Sequence, residues 1–208
     1  ILNEVNSPNF YPHNYKDKSV TPAMRYEAML EYLYPRIKNE VVTINEAIKA
    51  ASSAEEAEPL EVNVIAGELT SGHNQLGFIE AMGRAKQKNG FEGRIFDVLA
   101  THPYMESSNI PPDTAHPEGK VIGIGDYQKV EPLVRKYFGD VEIMYTEHGI
   151  DSQPRHDEQY TGQNQSAIKP VSETIQGNYY HRALSAAFCQ PNIIGYFTFL
   201  LDDERRLE

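Results

Sequence analysis

Short apolar runs alternate with amphipathic segments along the chain, and this alternation limits the fold more than any other feature of the sequence. The apolar runs have the length and composition of β-strands, and they lie at Ile1–Asn6, Leu60–Ala66, Arg94–Ala100, Val141–Gly149 and Asn192–Leu201. Apolar side chains recur at helical spacing between them, which predicts helices over Thr21–Ile37, Asn74–Lys88, Asp126–Phe138 and Ser172–Gln190. A chain that alternates in this way forms a parallel sheet with crossover helices.

The connection after the first predicted helix is less regular than the others. Pro35 is expected to kink that helix near its end, because proline removes a backbone hydrogen bond and clashes with the preceding turn. Residues 41–59 are rich in Ala and Glu and have no strand character, which indicates either a second helix or an exposed acidic connector.

The lengths of the connecting loops favour a (β/α) barrel over an open doubly wound sheet. Long polar loops follow the predicted strands near Tyr104 and Ile150, whereas the turns that follow helices are short. The catalytic face of a (β/α)8 barrel is built from the loops that follow its strands. The doubly wound sheet stays the rival architecture, but its Gly-rich phosphate-binding fingerprint is absent, and Gly123-Ile124-Gly125 follows no predicted strand.

Composition limits the class of partner. The 208 residues are 40% hydrophobic and 24% charged, which is enough for one core, and we expect a single domain over residues 1–208. The net charge of −11 argues against nucleic acid and leaves neutral ligands such as sugars open. No apolar run is long enough to span a membrane, and no signal-like start is present. Cys189 is the single cysteine, excludes an internal disulfide and is expected to be a buried small hydrophobe.

Polar side chains stand where the predicted strands end. Asn3-Glu4, Gly67-Glu68, His102-Pro103-Tyr104 and Glu147 each follow an apolar run. Because the carboxyl ends of parallel strands meet at one face, Glu4 and Glu147 could face each other across a pocket. Two carboxylates on opposite sides of a pocket suit glycosidic bond cleavage, in which one gives a proton and the other attacks or stabilises the anomeric carbon. Glu68 has no supporting motif and is expected to be a surface or loop acid.

On these residues the chain resembles the C-terminal part of a clan A glycoside hydrolase, a retaining (β/α)8-barrel enzyme of the kind found in families 5 and 39. Members of that clan end strand four with Asn-Glu and strand seven with a nucleophilic Glu, positions matched by Asn3-Glu4 and Glu147. Many also carry a His-x-Tyr after strand six, matched here by His102 and Tyr104. The resemblance covers essentially the whole chain, as strands 4 to 8 of a TIM barrel.

The resemblance implies a role for each matched residue. Glu4 would be the general acid and then the general base, and Glu147 the nucleophile. Tyr104 would hydrogen-bond the nucleophile, and Asn3 would bind the 2-hydroxyl of the sugar. A retaining enzyme would hold the two carboxyl groups about 5 to 5.5 Å apart.

Other positions would complete the substrate site. Clan members commonly place a Trp under the sugar at the end of strand eight, but the chain contains no Trp. Phe199, Tyr196 and Phe197 are the aromatic alternatives, and we assign Phe199 to substrate binding, together with His102. The resemblance implies a carbohydrate substrate and no cofactor. A secreted or periplasmic location would suit a polysaccharide enzyme, although no signal in the sequence supports it.

The resemblance also implies that the first three βα units are missing. The chain begins at Ile1 within a predicted strand, so we expect a truncated barrel that is completed by an N-terminal half or by another chain. An open half-barrel would expose sheet edges and an apolar interior. We therefore expect this segment alone to be inactive.

Two other functions remain open at this stage. A non-catalytic carbohydrate-binding pseudoenzyme would keep the cleft without a competent pair of acids, but both Glu4 and Glu147 are present. A metal-dependent hydrolase could use histidines, of which the sequence offers His13, His73, His102 and His148. The spacing of these histidines matches no common metal motif, so we predict no metal.

Overall fold

A computed structural model of the protein describes residues 2–14, 19–51, 58–153 and 168–199. Within these ranges four helices alternate with four strands. The elements are α1 (Pro22–Ala51), β1 (Ile65–Thr70), α2 (Gln75–Asn89), β2 (Val98–His102), α3 (Tyr127–Phe138), β3 (Glu142–His148), α4 (Glu173–Phe188) and β4 (Ile193–Thr198). A short 3-10 turn, Ile124–Asp126, leads into α3.

The four strands form one parallel sheet in the order β1-β2-β3-β4. The pairing of Leu99 in β2 with Ile143 in β3 sets the register at its centre. Strands that follow one another in the chain are neighbours in the sheet, so the strand order does not reverse as it does in a doubly wound sheet. The prediction of a parallel α/β fold is therefore confirmed. The described strands form an open sheet with β1 and β4 at its edges.

The predicted N-terminal strand is wrong. Residues 2–6 form turns, and Leu2 and Glu4 have the positive φ angles of 68° and 43° that a strand does not contain. The segment still lies along β1, because Glu68 donates its N–H to the Leu2 carbonyl and accepts from the Val5 N–H. Asn3 and Glu4 lie between the two residues that bond to Glu68, whereas regular parallel pairing places only one residue there. The segment is therefore a bulged extension of the sheet.

One face of the sheet packs against the helices. Ala66 and Leu69 of β1, Leu99 of β2, and Ile143 and Tyr145 of β3 are at most 5% exposed and belong to one core with apolar residues of α1, α2 and α3. Ile143 and Tyr145 of β3 have the period of two expected for a strand with one face on a core. In β1 a register shift separates Ala66 from Leu69, and β2 is buried at all of its positions.

The opposite face is polar towards one end and partly apolar elsewhere. Met144 and Phe197 lie together over Gly195 on that face, and Phe197 is 54% exposed. Parallel sheets are usually covered on both faces, whereas this face of the described sheet leaves apolar side chains exposed.

Helix starts were predicted well because they depend on local capping. Thr21, Asn74 and Ser172 each accept a hydrogen bond from a backbone N–H in the first turn of α1, α2 and α4. Asp126 precedes α3 as predicted, but its side chain makes no such bond to the first turn. Its carboxylate instead accepts from the backbone of His116 and Gly123, which fixes the long loop after β2.

Several boundaries differ from the sequence prediction. Helix α1 continues through Pro35 to Ala51, so Pro35 does not mark its end and residues 41–51 belong to the same helix. Strands β1 and β2 begin four or five residues later than predicted, at Ile65 and Val98. Cys189, just after the end of α4, is exposed, so the prediction that it is buried is wrong. Residues 52–57 of the predicted connector and 200–201 of the last predicted strand lie outside the described residues.

No helix in the described ranges has both the length and the apolar character that crossing a bilayer requires.

Candidate active site

Glu4 is carried to the end of the sheet by the bulged segment beside β1. Its neighbour Val5 is fully buried, and Asn6 is anchored by three hydrogen bonds. The Asn6 amide donates to the carbonyls of Thr70 and Gly72 and accepts from the Thr70 N–H. These bonds hold the segment at the C-terminal end of β1. The backbone that carries the Glu4 side chain is therefore fixed, although Glu4 does not lie on a strand.

His102 is the last residue of β2, and its side chain is fully buried at the centre of the site. Its Nδ1 lies 3.2 Å from Glu4 Oε1 and 3.5 Å from Glu147 Oε2. Its Nε2 lies 3.5 Å from Glu68 Oε2. One imidazole ring therefore contacts three carboxylates that come from three separate parts of the chain.

Glu147 and Tyr104 lie together on the other side of the ring. The Tyr104 hydroxyl donates a hydrogen bond of 3.2 Å to Glu147 Oε2, so the contact expected between these residues is present. Burial raises the pKa of Tyr104, and the negative charge of Glu147 raises it further, so the hydroxyl keeps its proton and remains a donor. Both Tyr104 and His102 contact the same oxygen of Glu147, and its Oε1 is left for another partner.

The proposed pair of acids, Glu4 and Glu147, meets at the same nitrogen. Since one oxygen of each carboxylate contacts Nδ1 of His102, the separation of those oxygens cannot exceed the sum of the two distances. The side chains of Glu4 and Glu147 are 17% and 26% exposed, so both are open to a ligand on one side. Residues that are far apart in the sequence thus form one cluster.

Glu68 belongs to the same cluster, which corrects the expectation that it is a surface or loop acid. It stands inside β1 rather than after it, and its side chain is 30% exposed. Gly67 places it there: its φ is +113°, and a Cβ at this position would lie 2.4 Å from the Ala100 carbonyl oxygen. The sequence contained one indication that Glu68 lies within a strand: the next residue, Leu69, is apolar and continues the apolar run beyond Glu68.

Gly149 lets the end of β3 approach the end of β4. A Cβ on Gly149 would lie 2.2 Å from the Phe199 carbonyl oxygen and 3.4 Å from the Tyr104 ring. Phe199 is held by its N–H, which donates to the His148 carbonyl, and its side chain is 42% exposed. The backbone of Phe199 and the Tyr104 ring therefore both lie close to Gly149. Asn3 is also exposed, next to Glu4 in the chain.

The four histidines considered for a metal do not gather at one place. His102 alone lies among the carboxylates, whereas His13 contacts the Val5 carbonyl and His73 is exposed. His148 is buried against Tyr196, whose hydroxyl lies 2.7 Å from Nδ1. Burial lowers the pKa of His148 to about 4, so this ring is neutral near pH 7.

A recess of about 110 Å³ opens next to this cluster. It is lined by Tyr104 and Gly149 on one side and by Ser108, Asp151 and Ile168 on the other. Ser108 donates to the Asp151 carboxylate and accepts from the Asp151 N–H, so the wall of the recess is ordered by its own hydrogen bonds. The recess gives the cluster space for part of a small polar ligand.

A comparison with models of known protein families finds no family that matches the chain, and a search of curated proteins finds no significant match.

Proposed function

We propose that the protein is a retaining glycoside hydrolase that cleaves β-glycosidic bonds of a poly- or oligosaccharide, with Glu147 as nucleophile and Glu4 as acid and base. The observation that carries the proposal is the contact of both carboxylates with Nδ1 of His102. Retaining enzymes hold their two carboxyl groups about 5 to 5.5 Å apart. The two contacts with Nδ1 support the proposal because they bring one oxygen of Glu4 and one of Glu147 to the same nitrogen.

In the first step Glu147 attacks the anomeric carbon while Glu4 gives a proton to the leaving oxygen. The hydrogen bond from Tyr104 and the contact with His102 both fall on Oε2 of Glu147, which leaves Oε1 to attack. In the second step Glu4 takes a proton from water, and that water releases the sugar from Glu147. The Tyr104 bond keeps the nucleophile oriented in both steps.

His102 acts in this scheme as a positioning residue for the two acids. The sequence predicted that His102 binds substrate, but its ring is fully buried and would not reach a sugar. We therefore assign it the positioning role instead. A proton on Nδ1 can be shared between Glu4 and Glu147, and the buried ring limits the rotation of both side chains. Asn3 and Phe199, both exposed next to the acids, remain the proposed substrate contacts.

The finer architecture that we propose is an arc of a (β/α)8 barrel, corresponding to strands five to eight with a bulged strand four beside β1. Two observations support it: the strand order follows the chain order, and Phe197 is exposed on the sheet face that no described helix covers. Further barrel strands, from the same or another chain, would cover that face and complete the sugar site.

Covalent labelling tests the proposal most directly. A 2-deoxy-2-fluoro β-glycoside with a good leaving group should label the intact protein on Glu147. The fluorine slows both steps because both have oxocarbenium-like transition states, and the good leaving group speeds only the first, so the glycosyl-enzyme accumulates. Mass spectrometry of the digested protein should find the added sugar on the peptide that contains Glu147. Glu142→Gln is the matched control, since Glu142 is an exposed acid at the start of the same strand.

Hydrolysis of aryl β-glycosides gives the second readout. Glu4→Gln and Glu147→Gln should each lower kcat by a factor on the order of 10²–10⁴ or more, while Glu142→Gln leaves it unchanged. Labelling of another residue, or full activity in either active-site variant, would refute the assignment. Sugar binding without hydrolysis or labelling would instead favour a carbohydrate-binding pseudoenzyme.

A further inference from the structure

The His102 ring has a donor atom that the proposed mechanism does not use. Its Nε2 is fully buried, makes no hydrogen bond with the residues that the structure describes, and points at Glu68, whose Oε2 is 3.5 Å away. A buried polar atom without a partner carries a desolvation cost, and such atoms in native proteins call for a physical explanation. Glu68 is likewise unassigned in the hydrolytic scheme.

We propose that Glu68, His102 and Glu147 form a binding site for a divalent transition-metal ion, with Zn²⁺ as the best fit. One ring nitrogen and one oxygen from each carboxylate lie within 4.8 Å of one another. Zinc binds nitrogen and carboxylate oxygen at about 2.0 to 2.2 Å, so two ligands of a tetrahedral site lie roughly 3.3 to 3.6 Å apart. The distance between Nε2 and Glu68 Oε2 already has this value. Rotation of the Glu147 side chain can bring its carboxylate oxygen to the same distance from the other two ligand atoms.

The contact between Nδ1 of His102 and Glu4 also favours a metal ion on Nε2. Glu4 Oε1 lies 3.2 Å from Nδ1, so a ring that carries its proton on Nδ1 donates a hydrogen bond to Glu4 and keeps the lone pair of Nε2 for a ligand. A carboxylate that orients a histidine ligand in this way is the common outer shell of zinc sites. The three protein ligands would leave the fourth position of a tetrahedral zinc ion to water, because the cluster is partly exposed. The imidazole ligand favours zinc over magnesium, which prefers oxygen ligands.

The metal would regulate the proposed hydrolase, and this part of the inference rests on the proposed function. Glu147 cannot attack a sugar while it holds a cation, and Glu4 is then engaged with the metal-bound ring. Zinc should therefore act as a reversible inhibitor, and a chelator should restore activity. Binding of the metal does not depend on hydrolysis, so the two claims can fail separately.

The test is titration of the intact, tag-free protein with ZnCl₂ by calorimetry, with MgCl₂ in parallel. We expect one zinc per chain with a micromolar or lower Kd and no comparable magnesium binding. Glu68→Gln should weaken zinc binding by more than the 10- to 100-fold typical of an outer-shell change, because it removes a ligand. Glu142→Gln should bind zinc like the unchanged protein. Zinc should also raise the melting temperature of the unchanged protein, but not that of Glu68→Gln.

Each result has a clear meaning. Absence of zinc binding up to millimolar concentration, or equal affinity in Glu68→Gln, would overturn the metal site. Circular dichroism of Glu68→Gln confirms that a loss of binding is not a loss of fold. Zinc binding in a protein that hydrolyses no glycoside would support the metal site and count against the hydrolase. Hydrolysis that zinc does not inhibit would overturn the regulatory claim.

Discussion

Replacement of Glu27 by Gln should remove a large pH dependence of stability. Glu27 lies on α1, is fully buried, and faces α2, where Asn89 donates to its Oε2. Burial is the main cause that raises the pKa of Glu27 to about 8, and the nearby Glu31 carboxylate adds to it, while Lys86 acts in the opposite direction. In the folded protein near pH 7 this carboxyl group therefore holds a proton that it loses in the unfolded chain.

The sign and size of the effect follow from proton linkage. Because the folded-state pKa lies above the ordinary value of 4.5, stability is greatest below that value and is lost as the pH rises towards 8. One extra proton bound by the folded state gives a slope of at most about 1.4 kcal/mol per pH unit. For a domain of this size that corresponds to a fall in Tm of about 3 to 6 °C per pH unit.

Thermal unfolding between pH 6.5 and 8 is the appropriate assay. His148 is neutral in the folded state throughout this range, whereas in the unfolded chain it is half-protonated at pH 6.5 and becomes neutral as the pH rises. It therefore opposes the Glu27 slope at the acid end of the range and contributes little towards pH 8. The Tm of the unchanged protein should fall across the range, whereas the Tm of Glu27→Gln should stay nearly level. Glu40→Gln is the control, because Glu40 is an exposed acid on the same helix, and this variant should retain the slope. Equal slopes for the unchanged protein and Glu27→Gln would refute the reasoning.

Three further predictions concern the site and its surroundings. Tyr104→Phe removes a hydrogen bond to the proposed nucleophile, worth about 1.5 to 3 kcal/mol, and should lower kcat by roughly 10- to 150-fold; unchanged kinetics would contradict the orienting role. Gly149→Ala brings a Cβ against the Phe199 carbonyl and should cost about 1 to 3 kcal/mol by chemical denaturation, whereas Gly177→Ala, on an exposed turn of α4 with open space, should stabilise slightly. Because the folded-state pKa of His148 is lowered, stability should be lost as the pH falls from about 6.5 to 4, and His148→Gln should flatten that acid limb of a Tm profile.

Local signals in the sequence were sufficient for most of the secondary structure. The caps at Asn74 and Ser172 act within one turn of a helix, so they could be placed without knowledge of the rest of the fold. The apolar run before Glu147 likewise predicted β3 and the position of this acid near its end. The alternation of helices and strands predicted the parallel sheet, because parallel strands need crossover connections.

Other features depended on contacts between residues that are distant in the chain. Pro35 does not end α1, and residues after it contact distant parts of the chain. Lys38 forms an ion pair with Asp97, and the Asn45 side chain exchanges two hydrogen bonds with the backbone of Leu60. The segment around Glu4 has strand-like residues but forms a bulged turn, because Asn6 fixes it to the end of β1. Cys189 and the neighbouring Phe188 at the end of α4 are both exposed, so their apolar character did not predict their environment.

By itself, then, the sequence determined which residues form the helices and most of the strands, and that Glu4 and Glu147 are acids next to them. The tertiary structure alone decided that Glu68 joins these acids around a buried His102. The physical reason is that periodicity and capping act over a few residues, whereas strand pairing and the close approach at Gly67 set which side chains meet across the sheet.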